Sequence, residues 1–140
     1  MSTNEDLPLW IPSGEDIKNS NITKFINHLK SKKIILKDYV DLFAWAEENP
    51  EKFYDILWDF SAIKSNHKGE NIVKDRHLMP GAKWFPDAKL NFAENLLQKK
   101  GSEYALIFEG ENYNNKNITW DEMHKEVSVF AQALKNDGIK

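Results

Sequence analysis

Met79-Pro80-Gly81-Ala82-Lys83-Trp84-Phe85-Pro86-Asp87-Ala88-Lys89-Leu90-Asn91-Phe92-Ala93-Glu94-Asn95-Leu96-Leu97 decides how this chain is read. Its first half is turn chemistry. Pro80-Gly81 signals a turn, and Pro86 biases Phe85 away from helix. Its second half changes to helical spacing, with Leu90, Ala93, Leu96 and Leu97 at i, i+3, i+6 and i+7. A helix is expected from about 89 to 100, stopped by Gly101.

Upstream of this run the periodicity is helical. Ile22, Phe25, Ile26 and Leu29 form one apolar stripe, predicting a helix over 21–31 capped by Ser20 or Asn21. Tyr39, Leu42, Phe43 and Ala46 repeat the spacing over 39–49, with Asp38 as cap. Pro50 suits the first turn of a third helix, because its missing N–H needs no partner there. Phe53, Ile56, Leu57 and Phe60 give that helix its stripe. Three short amphipathic helices with brief connections predict a small packed unit. Before them, Leu9-Trp10-Ile11-Pro12 reads as an extended apolar anchor, with Ser13-Gly14 as the turn that ends it. Its Trp10 is expected either on a neighbouring surface or over the local core.

Downstream the period changes again. Residues 65–70 read as a polar loop and 71–86 as irregular or extended. Tyr104-Ala105-Leu106-Ile107-Phe108-Glu109 has strand length, 111–117 is a polar turn, and Ile118-Thr119-Trp120 is extended. Thr119 and Glu122 then have capping-box spacing. Trp120, Met123, Val127, Phe130, Ala131 and Leu134 line one face of a helix ending near Asp137-Gly138. Two short strands do not make a stable sheet alone. They call for a partner sheet that these 140 residues do not supply.

Composition narrows the function. The 140 residues fit one ordinary domain, which would bury roughly two-thirds of its unfolded surface. The apolar fraction of 41% lies below the usual level of about 45–50%. That suits a well-solvated helical chain, or one that keeps apolar surface for a partner. Five Trp, eight Phe and four Tyr argue against disorder. The net charge of −3 and the lack of a basic stripe point away from nucleic acid. The short clusters Lys30-Ser31-Lys32-Lys33 and Lys99-Lys100 fall where helices should end and complement the helix dipole. No cysteine is present, which excludes disulfides, thiolate metal sites and cysteine nucleophiles within these residues. The polar, acidic start is unlike a secretory leader, and no apolar run reaches bilayer length. The cytoplasm is the expected compartment, with no membrane partner.

No catalytic constellation stands out in the sequence. A phosphate-cradling loop needs closely spaced glycines, and the six here are never nearer than nine residues. His28, His67, His77 and His124 do not stand at helical i, i+4 spacing. His67 and His77, with Asp75 between them, are the nearest approach to a metal set. Glu47, Glu48 and Glu51 flank a helix junction, and Asp121 and Glu122 fall in a first helical turn; both positions suit dipoles or caps. Arg76, the sole arginine, is expected to pair with Asp75 or Asp87. Trp84 and Phe85 are expected to dock on another part of the same protein and, with the outer face of the last helix, to stay more exposed than core residues.

Several of these stretches resemble a known family. Leu9–Ser13 and Ser20–Phe25 look like the extreme N-terminus of acetoacetyl-CoA synthetases, within the adenylate-forming acyl-CoA synthetase superfamily. Asp38–Trp45 and Asn49–Phe60 are similar to the small N-terminal helical cap shared with acetyl-CoA synthetases. Tyr54 departs from that pattern, standing where the family often has Trp. Met79–Leu97 resembles the segment leading into the catalytic body. Phe108-Glu109-Gly110, Ile118–Trp120 and the Val127–Gly138 helix resemble the first β-hairpin and helix of the adenylating domain.

The resemblance implies an α+β fragment: a mainly helical cap (1–63), an irregular connector and lead-in helix (64–101), and the incomplete start of a large α/β AMP-binding domain (102–140). It implies a full-length acid–thiol ligase that joins acetoacetate to ATP and then to coenzyme A, with Mg2+. The partners implied are the remainder of the adenylating domain and a C-terminal lid of the same polypeptide. The family's ATP loop, ribose-binding Asp, Mg-binding Glu, catalytic Lys and CoA-phosphate arginines lie downstream. No residue here is therefore assigned a catalytic, cofactor-binding or metal role, and none of these cofactors is expected to bind to these 140 residues alone. Acetyl- or another short-chain acyl-CoA synthetase is the nearest alternative. A stand-alone helical interaction module is an alternative of a different class.

Overall fold

The computed structural model describes residues 8–111 and 115–139. The chain divides into two compact units, Met1–Ile63 with His67–Lys89 and Lys64–Asn66 with Leu90–Lys140.

The first unit is helical. It contains α1 (Gly14–Asn19), α2 (Asn21–Ser31), α3 (Tyr39–Glu48) and α4 (Pro50–Phe60). The sequence marks α2 and α3 within a residue at each end, and the start of α4 at Pro50. Their caps are those the residues announce. The Ser20 hydroxyl accepts from Thr23 N–H, the Asp38 carboxylate accepts from Val40 and Asp41 N–H, and Pro50 opens α4. Helix α1 was not expected. The Ser13-Gly14 pair, read as a turn, is a capping box: the Ser13 hydroxyl accepts from Asp16 N–H, and the Asp16 carboxylate accepts from Ser13 N–H at 2.9 Å. The Ser-x-x-Asp spacing carries that signal.

Phe25, Leu29, Leu42 and Ile56 form the buried centre, with Ile26, Trp45, Phe53, Leu57 and Phe60 packed around it. Phe25 presents its ring edge-on to Phe53 at 5.7 Å and Phe60 at 5.0 Å, the arrangement that aromatic quadrupoles favour. The stripes of α2 and α4 face inward as expected, apart from the exposed Ile22. The stripe of α3 requires correction. Leu42 and Trp45 turn inward, whereas Tyr39 and Phe43 lie on the outside and contact each other at 6.5 Å. Every face of α3 carries apolar residues, so its spacing does not single out the inner one.

Two short ladders close the excursion that follows α4. His67 and Lys89 pair at its base, and β1 (Val73–Lys74) pairs antiparallel with β2 (Lys83–Trp84). The turn at Pro80-Gly81 lies between them, with Ala82 N–H donating to Leu78 C=O.

The second unit contains α5 (Phe92–Leu96), β3 (Tyr104–Phe108), β4 (Lys116–Thr119) and α6 (Trp120–Asn136). Helix α5 is much shorter than the 89–100 segment that the periodicity suggests. Asn91 caps it by accepting from Glu94 N–H, which fixes the start late. Its apolar stripe finds little cover, and helices without packing are marginal. The Asn95 amide instead clamps Lys64, accepting from its N–H and donating to its C=O, each at 2.8 Å.

Strands β3 and β4 form an antiparallel hairpin with a bulge between Tyr104 and Leu106. The beginning of α6 is lashed to residues 99–103. Gly101 N–H donates to the Asp121 carboxylate at 2.8 Å, Trp120 N–H donates to Glu103 C=O, and His124 Nε2 lies 2.9 Å from Lys99 C=O. Lys99 pairs with Glu103 and sits 6.0 Å from the Trp120 ring, so it does not serve as a helix-end cation. No residue of this unit is buried among those described.

The capping box predicted at Thr119 is present. Thr119 N–H and hydroxyl both donate to the Glu122 carboxylate, at 2.8 and 2.9 Å, and these bonds hold its pKa below the usual glutamate value. A depressed carboxylate pKa stabilises above the unfolded value and loses that effect as pH falls through the folded one. We therefore expect α6 to fray in acid. Thr119→Ala should cost about 1 kcal/mol and reduce helicity at 222 nm at neutral pH. An unchanged signal would show that the cap is idle.

Candidate functional site

The features that bear on function are aromatic and apolar faces, together with one ion cluster. On the first unit, α4 presents Tyr54, Asp55, Trp58 and Asp59 to the 67–89 excursion. Trp84 lies against Tyr54 with ring centroids 4.3 Å apart, and Phe85 lies against Trp58 at 4.4 Å. The expectation that this pair docks on another part of the protein is met, and α4 is the surface it uses. Phe85 adopts φ 45, in the left-handed region, while its N–H donates to Ile72 C=O at 2.7 Å.

Lys68 completes the clasp. Its ammonium pairs with Asp55 at 2.6 Å and Asp59 at 2.9 Å, bonds the Asp55 carbonyl, and stands 5.9 Å from the Trp58 ring. Partial burial alone would lower its pKa. The hydrogen bonds and charges of the two carboxylates outweigh that and raise it. A raised lysine pKa stabilises below the unfolded value and is lost only as pH climbs through the folded one, so the ammonium remains charged at neutral pH.

Gly69 fixes the approach of the two arms. It has φ +85, and a Cβ there would stand 2.8 Å from Asp87 Cβ and 3.3 Å from Asp87 backbone carbon. Asp87 is itself held by Asn71 at 2.8 Å. Gly69→Ala therefore meets both left-handed strain and a clash, costing about 1–3 kcal/mol. Gly14→Ala has open space around it and should be near neutral. Thermal melts of the two variants test this; equal midpoints would refute it.

The remaining sequence candidates are scattered. Among the described residues no group of three or more His, Asp or Glu is placed to hold a metal. His28 packs against Phe60 at 5.5 Å, and His124 bonds the backbone. Arg76 forms no ion pair with Asp75 or Asp87 among the described residues; its Nη2 instead reaches Glu47 C=O at 3.5 Å. The physical reason is the end of α3. Glu47 and Glu48 sit at the negative end of that helix, where carboxylates are unfavourable, and a cation there offsets them. The dipole argument holds for Glu51, Asp121 and Glu122, which lie in first turns, and fails for Glu47 and Glu48.

Apolar surface is plentiful. In the first unit a groove of about 680 Å³ is lined by Trp10, Ile17, Ile22, Ile26, Leu36 and Tyr39. Leu9, Trp10 and Ile11 are largely exposed, so Trp10 does not cap the core of the described residues. In the second unit Leu106, Ile107, Phe108, Val129 and Phe130 are each more than half exposed. No described helix is long and apolar enough to cross a membrane.

Residues 39–96, which span α3, α4, the clasped excursion and α5, match the family model described as acetyl-coenzyme A synthetase N-terminus. Similarity extends beyond these residues. An acetoacetyl-coenzyme A synthetase of Rhizobium meliloti (strain 1021) is 37% identical over 133 residues, 94% of this chain and 20% of that protein. The acetoacetyl-CoA synthetase of Xenopus tropicalis is 28% identical over 94% of this chain and 20% of its own length. An acetyl-coenzyme A synthetase of Methylobacillus flagellatus is 42% identical over 71 residues, 48% of this chain. The solved acetoacetyl-CoA synthetase from Streptomyces lividans superposes with a TM-score of 0.78 and 28% identity, over 96% of this chain and 21% of that one. The mixed fold, helices followed by small antiparallel hairpins, is that of the N-terminal part of this synthetase. The chain spans about a fifth of the length of the curated relatives it matches.

Proposed function

We propose that this chain is the N-terminal part of an ATP-dependent acetoacetate–CoA ligase, with a structural rather than catalytic role of its own. The observation that carries this reading is the similarity to acetoacetyl-CoA synthetases along 94% of the chain, beyond the N-terminal domain. The whole enzyme joins the acetoacetate carboxylate to ATP, giving an acyl-adenylate and pyrophosphate. The thiol of coenzyme A then displaces AMP. ATP, Mg2+ and coenzyme A are held by residues outside these 140, in an adenylating domain and a mobile C-terminal lid. Residues 1–63 act as the helical cap, 64–101 as the connector, and 102–140 as the start of the adenylating domain. The cytoplasm is the compartment that suits such an enzyme.

A second reading, an acetate-specific ligase, draws on the higher identity to an acetyl-CoA synthetase over about half the chain. The deciding experiment expresses the complete gene product and follows AMP and thioester formation with acetoacetate, acetate and butyrate. We expect kcat/KM for acetoacetate to exceed that for acetate by at least about a hundredfold, since a pocket that hydrogen-bonds a keto oxygen leaves its polar groups unpaired with acetate. Preference for acetate would favour the second reading. Activity of the isolated 140 residues would overturn the structural role. A complete gene product of only 140 residues, monomeric and cooperatively folded, would identify a stand-alone module.

A further inference from the structure

The two strands of the β3–β4 hairpin differ in kind. Strand β3 is Tyr-Ala-Leu-Ile-Phe, apolar throughout its last four residues, whereas β4 is Lys-Asn-Ile-Thr. Successive side chains of a strand point to opposite faces. Leu106 and Phe108 therefore share one face and Ile107 takes the other, and all three are more than half exposed. A strand apolar on both faces belongs inside a sheet covered on both sides. Lysine and other polar residues mark a strand built for the margin, where they discourage further pairing. Helix α6 agrees with a layered setting. Beyond Trp120, Met123 and Leu134, which are partly covered, it carries exposed Val129, Phe130 and Ala133.

We infer that β3 is an interior strand whose free edge receives a strand from the continuation of the same polypeptide, while β4 stays the margin of the enlarged sheet. The occupant follows from length: the relatives that match nearly all of this chain are about five times longer. This rests on the proposed ligase reading and names the surface through which the chain joins the rest of that enzyme.

Amide hydrogen exchange on the complete gene product, resolved to single residues by fragmentation mass spectrometry, tests it. A paired interior strand has all its amides bonded, whereas a marginal strand has every second one free. The amides of Leu106, Ile107 and Phe108 should all exchange at least about a hundredfold slower than the unfolded-chain rate. Alternate amides of Lys116–Thr119 should stay near that rate. Alternation persisting in β3, or full protection of β4, would overturn the inference. Protection of β3 that falls on dilution would overturn it too, because a second copy would then be the strand donor. A ligase assay on the same sample separates the two levels. Turnover with fast β3 amides sinks this inference alone; absence of turnover with any short-chain acid sinks the ligase reading and this inference with it.

Discussion

Phe25→Ala is expected to unfold most of the helical unit's population under mild denaturant. Phe25 is 4% exposed and sits between Phe53 and Phe60, which close on its ring from α4. Truncation removes buried apolar surface, leaves a cavity between α2 and α4, and ends both edge-to-face contacts. Such substitutions cost about 3–5 kcal/mol in well-packed cores. The described residues hold only four buried hydrophobics, so neighbouring layers offer little to refill the space. A domain's whole stability is about 5–15 kcal/mol, which makes this loss a large share of it. Urea titration followed by far-ultraviolet circular dichroism should show the midpoint shifted strongly down at unchanged slope. Phe43→Ala is the control: Phe43 has the same chemistry on the exposed side of α3 and should move the midpoint little. Similar shifts for the two would mean that the core is wrongly placed.

Trp58→Ala should release the 67–89 excursion while leaving the helical core intact. Trp58 carries Phe85 on its ring at 4.4 Å and stands below the Lys68 ammonium. It is only partly buried, so we expect a loss of about 2–3 kcal/mol, less than for a fully buried tryptophan. The loss is local, since the core cluster does not include Trp58. Trypsin cleavage after Lys74, Arg76 or Lys83 reports local opening when reclosing outpaces cleavage. Its rate should rise roughly 30- to 150-fold at an unchanged global midpoint. Lys68→Met should raise it less, because partly exposed ion pairs contribute little. Resistance equal to the parent protein would show that the stacks do not hold the excursion.

The same clasp shows where sequence reading stops. The Trp84-Phe85 pair announces a docking role through its exposed-type aromatics beside Pro86. Nothing in its spacing names Tyr54 and Trp58 as the receiving rings, because those residues lie 30 and 27 positions upstream. Arg76 illustrates the limit for charge. Its nearest acidic neighbours in sequence are not its partner; the backbone at the end of α3 is, and that carbonyl is available only once α3 has formed. The stripe of α3 was ambiguous for a related reason: when apolar residues surround a helix, its neighbours select the buried face.

By itself the sequence determined what depends on local physics. Apolar spacing and side-chain caps set α2, α3, α4 and α6, because those signals act within a few residues. The absence of cysteine and of clustered glycine excluded whole classes of chemistry from these 140 residues. Two short strands at the end of the chain already called for a partner sheet. Only the tertiary structure decided which faces are covered: Leu42 rather than Phe43 within, Lys68 between two aspartates, and no buried residue in the hairpin and α6 unit among those described. The reason is physical. Burial and long-range pairing are properties of surfaces brought together from distant parts of the chain, and a local pattern records only that such a surface exists.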